Sequence, residues 1–221
     1  MARGTDFGGI HSSRDLNLIQ QSVDEQPAEP KLNLVEIPGA DGTKDLSELP
    51  AGRILYNDRT VTWTFALYPG DDWPTKHRQV SNLLNGRRCH ITLDTNPGYY
   101  YIGRLTVKKY NRGMTLRQIT VEATCSPYML KQELTTVEVN FNRAPAGEFI
   151  PILLENERMP TVPTIEVTVP ATIKWGDAEA EIDEGSFTSL DIELQAGENT
   201  LYAKSATGEG KIAIHYQEGS L

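Results

Sequence analysis

Apolar and polar residues alternate with a period of two through most of the chain. Val61, Trp63, Phe65 and Leu67 alternate with Thr60, Thr62, Thr64 and Ala66, the pattern of a strand with one buried face. Ile119, Val121, Ala123 and Cys125 alternate with Thr120, Glu122 and Thr124 in the same way. The aromatic and β-branched stretch 99–110 leads into the 117–125 strand through Asn111-Arg112-Gly113, a hairpin turn. A strand over 88–93 reaches Tyr99 through the turn cluster Asp94-Thr95-Asn96-Pro97-Gly98. One segment changes period. His77, Val80, Leu83 and Leu84 fall at spacings of three to four, after Asp72 as N-cap and Pro74 in the first turn. With Gly86 as the stop, this predicts one helix over 73–85, packed on a face of the sheet.

Near the N-terminus, Phe7, Ile10, Leu16, Leu18 and Ile19 supply the apolar anchors of a predicted hairpin. Residues 20–30 are polar, contain Pro27 and Pro30, and read as a linker. A short strand over 31–37 then runs into Pro38-Gly39-Ala40-Asp41-Gly42, a rigid turn with special-φ positions. Beyond Cys125-Ser126-Pro127 the composition shifts to Thr, Glu, Val and Ile. Short strands are predicted at 135–141, 149–155, 164–169, 171–175, 179–183, 186–194, 199–204 and 210–216, the spacing of a β-sandwich or jelly roll. The expected fold is mainly β with one helix. An N-terminal α+β domain over 1–132 precedes a small acidic β-sandwich over 133–221.

Charge sharpens that division. The 221 residues carry a formal charge of −9. Residues 1–134 hold 16 Lys and Arg against 15 Asp and Glu, while 135–221 hold 5 against 15. A net-acidic chain without a basic tract is a poor duplex-DNA binder, so no sequence-specific nucleic acid is expected. No apolar run approaches the about 20 residues needed to span a bilayer, so no membrane partner is expected either. The polar, Gly-rich first ten residues hold no signal-type apolar stretch. Two cysteines cannot make a disulfide scaffold, and no Asn-x-Ser/Thr sequon occurs.

Catalytic chemistry finds little footing. His11, His77, His90 and His215 are scattered, and no metalloprotease, serine-hydrolase or phosphate-loop motif is present. Cys89 and His90 are strand neighbours and point to opposite faces. Cys89 and Cys125 read as small buried apolar residues on adjacent strands. The acidic run Asp177, Glu179, Glu181, Asp183, Glu184 lacks the order of a calcium loop and reads as a solvated edge strand. No catalytic residue, metal site or cofactor is expected. Trp175 and Tyr202, on strands of the second domain, are the candidate contacts for stacking on a sugar ring.

The order of motifs carries a resemblance. Phe7-Gly8-Gly9 is followed by Ser13-Arg14-Asp15-Leu16-Asn17-Leu18, then Val35-Glu36-Ile37-Pro38-Gly39-Ala40-Asp41-Gly42 and Asp45-Leu46-Ser47. The strand at 60–67, the helix closing on Leu83-Leu84-Asn85-Gly86, and Tyr99-Tyr100-Tyr101-Ile102-Gly103-Arg104 complete the series. Over about residues 5–130 this order resembles the N-terminal domain of the distal tail protein (Dit) family of long-tailed phages and prophages. The close of the chain, from Leu194-Gln195-Ala196-Gly197 to Ile212-Ala213-Ile214-His215-Tyr216, is similar to that family's end. The second domain, about 85 residues, is shorter than a full galectin-like fold and leaves no room for a large inserted arm.

The resemblance implies a structural virion protein, not an enzyme. Such proteins form a six-fold ring at the tail tip, joining tail tube to baseplate hub and leaving a channel for DNA. The implied partners are five further copies, a tail-tube protein, a tail-tip hub protein and a receptor-binding protein. The implied location is the virion tail tip, after assembly in the cytoplasm of a bacterial host. Ring contacts are expected from the N-terminal segment and the 38–45 loop, through Phe7, Ile10, Leu16, Leu18, Pro38, Gly39, Asp41 and Gly42. The alternative is a carbohydrate-binding or adhesive β-sandwich module without ring assembly.

Overall fold

Alternation in the sequence becomes alternation of burial along a series of strands, which the computed structural model describes over residues 4–108 and 118–221. They group into two compact units, one ending at Met129 and joined by Leu221, the other spanning Leu130–Ser220. The first contains β1 (Thr5–Phe7), β2 (Leu18–Glu25), β3 (Leu34–Glu36), β4 (Thr43–Asp45), β5 (Arg59–Leu67), helix α1 (Trp73–Leu84), β6 (Arg88–Leu93), β7 (Tyr99–Val107) and β8 (Gln118–Cys125).

Its sheet runs β1-β6-β7-β8-β5-β2, each neighbouring pair antiparallel. Strand β5 alternates without a break, burying Arg59, Val61, Trp63, Phe65 and Leu67. Ile119, Val121, Ala123 and Cys125 of β8 meet that face. The turn expected at Asn111-Arg112-Gly113 lies outside the described residues, but β7 and β8 on either side of it pair from Gly103↔Cys125 to Val107↔Val121. Trp73, Val80 and Leu84 turn the helix onto the core. Leu83, expected on that face, is exposed, because it lies off the stripe these three define.

The N-terminal segment departs from expectation. β1 and β2 do not form a hairpin together. β1 pairs with β6 and β2 with β5, at opposite ends of the sheet order. The sheet is coiled so that these ends approach. Thr5 Oγ1 donates to Gln20 Oε1 at 2.7 Å, and Phe7 of β1 packs edge-on against Trp63 of β5 at 5.1 Å. Ser12 and His11 fasten the intervening loop. The Thr5 amide donates to Ser12 Oγ at 3.0 Å. His11 Nδ1 faces the amides of Ser13 and Arg14, each at 3.2 Å, which assigns the ring proton to Nε2, 3.3 Å from Asp94. A Cβ on Gly4 would stand 2.3 Å from His11 Cε1, so any larger residue there would have to push the His11 ring aside. The expected linker over 20–30 is largely strand. Its residues are polar because β2 is an edge strand with one face in water.

Cys89 and Cys125 are not on adjacent strands. β7 runs between them, and Gly103 is the register partner of both. A Cβ at Gly103 would lie 2.5 Å from Cys125 Sγ. Two strand spacings separate the cysteine backbones by about 10 Å, beyond disulfide reach, and both thiols are free.

β9 (Met129–Lys131) comes next in sequence. The second unit then holds β10 (Thr135–Asn140), a 3-10 turn (Phe141–Arg143), β11 (Ile150–Asn156), β12 (Thr164–Val167), β13 (Ala171–Trp175), β14 (Ala178–Ile182), β15 (Gly185–Phe187), β16 (Gly197–Ser205), β17 (Lys211–Tyr216) and β18 (Gly219–Ser220). Two four-stranded antiparallel sheets, β10-β17-β12-β15 and β11-β16-β13-β14, turn their apolar faces into one core. β11 and β16 alternate buried and exposed positions along most of their length. The strand expected over 186–194 stops at Phe187. Ser189 Oγ accepts the Asp191 amide at 3.2 Å and turns the chain, while Ile192 and Leu194 still enter the core.

The buried Glu218 side chain ties the end of this unit to its beginning. Lys131 Nζ donates to it at 2.7 Å and Thr135 Oγ1 donates to the same oxygen. Burial pushes the Glu218 carboxyl up, but these hydrogen bonds and the ammonium charge outweigh it, and the net shift is downward from 4.5. Its stabilising contribution is therefore present above that ordinary value and is lost as pH falls through the lowered folded value. Replacing Lys131 by Met should destabilise the protein by about 1–2 kcal/mol at pH 7, with the deficit shrinking below pH about 4. Urea unfolding of both proteins at the two pH values checks this. Equal midpoints at pH 7 would contradict it.

Candidate assembly surface

β2 and β5 are antiparallel neighbours, so the chain between them is a long hairpin excursion. Its stem continues their ladder outward. The Gln26 amide donates to Thr60 O at 3.1 Å, the Asn57 amide to Glu29 O at 2.8 Å and the Lys31 amide to Leu55 O at 2.8 Å. Farther out, β3 and β4 pair only with each other among the described residues, from Leu34↔Asp45 to Glu36↔Thr43. Ser47 braces this ribbon. Its hydroxyl accepts the Asn33 amide at 2.8 Å, and its own amide donates to Asp45 Oδ1 at 2.9 Å. The Ser47 hydroxyl and amide together hold the Asp45 carboxyl below its ordinary range. At the tip, Gly39 and Gly42 take φ of 85° and 75°, the left-handed conformation that the Pro-Gly-Ala-Asp-Gly turn demands.

A two-stranded ribbon has nothing to bury a face against. Leu32, Leu34, Val35, Ile37 and Leu49, all on this arm, are between 41% and 74% exposed. Leu34 and Val35 are strand neighbours, so both faces of the ribbon are apolar. Clustered exposed apolar side chains mark an interaction surface. The sequence places Leu32, Leu34, Val35 and Ile37 on a strand, but only the pairing shows that no other sheet among the described residues covers them.

The predicted contact residues divide between two settings. Pro38, Gly39, Asp41 and Gly42 lie together at the exposed tip of the arm. Phe7, Leu16 and Leu18 are at most 1% exposed within the unit's own core, so their side chains are not available to a neighbour. Ile10 is half-buried against the same core. The apolar residues near the terminus serve closure of the sheet.

Trp175 and Tyr202 do not form one platform. Tyr202 opposes Lys174, so Trp175, the next residue, points to the other face of that sheet. Trp175 packs toward the core while Tyr202 is 39% exposed on the outside. The histidines also stay apart: His11 in a loop, His77 on α1, His90 stacked on Tyr100 at 4.5 Å, and His215 beside Thr136. Burial pushes the Cys125 thiol up to about 12 and raises that of Cys89, which keeps both protonated and poorly nucleophilic at neutral pH. Among the described residues, no group of three His, Cys, Asp or Glu side chains is placed to hold a metal. Among those residues, no helix is long and apolar enough to cross a membrane.

No protein-family model matches the sequence, and no curated protein sequence matches it. Solved structures do. The crystal structure of SPP1 Dit (gp19.1), described as a paradigm of the hub adsorption apparatus in phages infecting Gram-positive bacteria, aligns with 100% of this chain and 100% of its own, with a TM-score of 0.68 and 14% identity. The chain therefore has the fold of that protein. A designed double-stranded β-helix aligns with 40% of the chain at a TM-score of 0.25 and 15% identity, too slight a likeness to carry an argument.

The arm makes a direct prediction about stability. Replacing Leu34 and Ile37 by Asp should leave thermal unfolding of the isolated subunit nearly unchanged, within about 0.5 kcal/mol per site. Leu16→Ala should cost about 2–5 kcal/mol. Calorimetry on dilute protein checks the contrast, and a large loss from the arm variant would show that the ribbon is part of the core.

Proposed function

We propose that the chain is a structural component of a phage tail tip, assembling as a hexameric ring that joins the tail tube to the baseplate hub and leaves a passage for DNA. The observation that carries this reading is the full-length fold match to a phage hub protein. The exposed apolar arm supports it. An arm reaching from one copy onto a different patch of the next is a head-to-tail contact, which closes into a ring when the rotation permits. In this reading Pro38, Gly39, Asp41 and Gly42 sit at the contact, beside Leu34, Val35 and Ile37. The partners are a tail-tube protein, a hub protein and a receptor-binding protein, the location is the virion tail tip, and assembly takes place in the host cytoplasm. The chain works by binding its neighbours and has no catalytic role.

Light scattering after size exclusion tests ring formation. Six copies of 24.6 kDa give about 148 kDa, or about twice that for two stacked rings. The variant with Leu34→Asp and Ile37→Asp should run as a monomer. A parent protein that stays at 24.6 kDa at the highest workable concentration would contradict the reading.

A further inference from the structure

The outward face of the first unit sets two arginines directly opposite each other, with the single carboxylate of Asp58 beside the pocket they border. Arg88 on β6 and Arg104 on β7 are register partners, so their Cβ atoms stand about 5 Å apart on one face. Like charges set directly opposite each other destabilise a sheet unless something answers them. Arg88 has no carboxylate within ion-pair distance among the described residues, and Arg104 reaches only the Gly86 carbonyl, at 2.7 Å. The two side chains border a pocket of about 420 Å³ that also offers the hydroxyls of Thr106, Thr124 and Ser126 and the carboxylate of Asp58. Guanidinium forks flanked by hydroxyls suit carboxylates.

The second unit carries the complement. β14 is an edge strand whose only partner among the described residues is β13. Glu179 and Glu181 face outward from it, opposite Lys174 and Thr172. Glu179 lies a loose 3.9 Å from Lys174. Asp177, Glu181 and Asp183 have no cation within ion-pair distance among the described residues. Carboxylates two residues apart on a strand are spaced by about 6.6 Å, a spacing the long, flexible guanidinium side chains can span from stems about 5 Å apart.

We propose that the Arg88–Arg104 pocket of one copy receives the carboxylates of β14 from a neighbouring copy, a charge-paired contact between adjacent subunits that is separate from the apolar arm. It rests on the self-assembly proposed above. A phosphate backbone offers the same anionic chemistry, but a chain of net charge −9 repels nucleic acid, whereas the acidic strand is already present in every copy.

Reciprocal charge swaps test the pairing. Arg88→Glu with Arg104→Glu, and separately Glu179→Lys with Glu181→Lys, should each raise the concentration at which assemblies dissociate by about tenfold. The combined variant should return to near the parent value. The effect of each swap should shrink when salt rises from about 50 to about 300 mM. Assemblies unaffected by the swaps, or a combined variant as weak as either alone, would overturn this contact while leaving the ring intact. A parent that stays monomeric would overturn both readings. A fluorescent DNA oligonucleotide bound by the parent and lost on Arg88→Glu with Arg104→Glu, with assembly unchanged, would assign the pocket to nucleic acid and also overturn the pairing.

Discussion

Phe7 holds the first unit closed. It sits on β1 at one end of the sheet order, yet its ring packs edge-on against Trp63 at 5.1 Å and Phe65 at 6.3 Å, both on β5 near the other end. An open, flat sheet would keep these rings several strand spacings apart. Only a coiled sheet lets them meet, and such aromatic pairs add about 0.5–1.5 kcal/mol beyond the area they bury. Closure fixes the rest. It brings Thr5 beside Gln20, seats Leu16 and Leu18 in the core, and lets α1 cover the interior with Trp73, Val80 and Leu84. It also leaves the connection between β2 and β5 no interior to enter, so that segment projects as the arm.

The two units divide the physical work. The first gathers a nearly neutral surface, an apolar ribbon and a paired-arginine pocket on one closed sheet. The second holds the chain's net negative charge, on strands whose inner faces form a separate core. A ring scaffold needs adhesive surfaces of more than one kind, because a contact that is only apolar is poorly specified in register and partner. In the proposed ring, the exposed leucines of the arm would supply area and the charged edges direction.

Much of this architecture is legible in the sequence, for an identifiable reason. β5, β6, β8 and α1 each place a full apolar face against a core, so their periods are clean and their bounds fall within a residue or two of expectation. β2 was hidden because Gln20, Gln21, Asp24 and Glu25 belong to an edge strand, whose polar face reads as a linker. The roles of Phe7, Leu16 and Leu18 were hidden because an apolar residue near a terminus serves a neighbour or its own core equally well. Pairing of Phe7 with β6, more than eighty residues away, and of Leu18 with β5 decides between them, and no local pattern carries that information. Leu34, Val35 and Ile37 are the converse case, strand-like in sequence yet left uncovered by the topology. Opposite facing of Trp175 and Tyr202 follows from register, which the sequence alone does not show.

Electron cryo-microscopy of the assembled protein tests the account most directly. The account predicts closed six-fold rings in which the ribbon of each subunit lies against the next, with Leu34, Val35 and Ile37 covered. Rings whose ribbons project bare into solvent, or fields of single subunits, would contradict it.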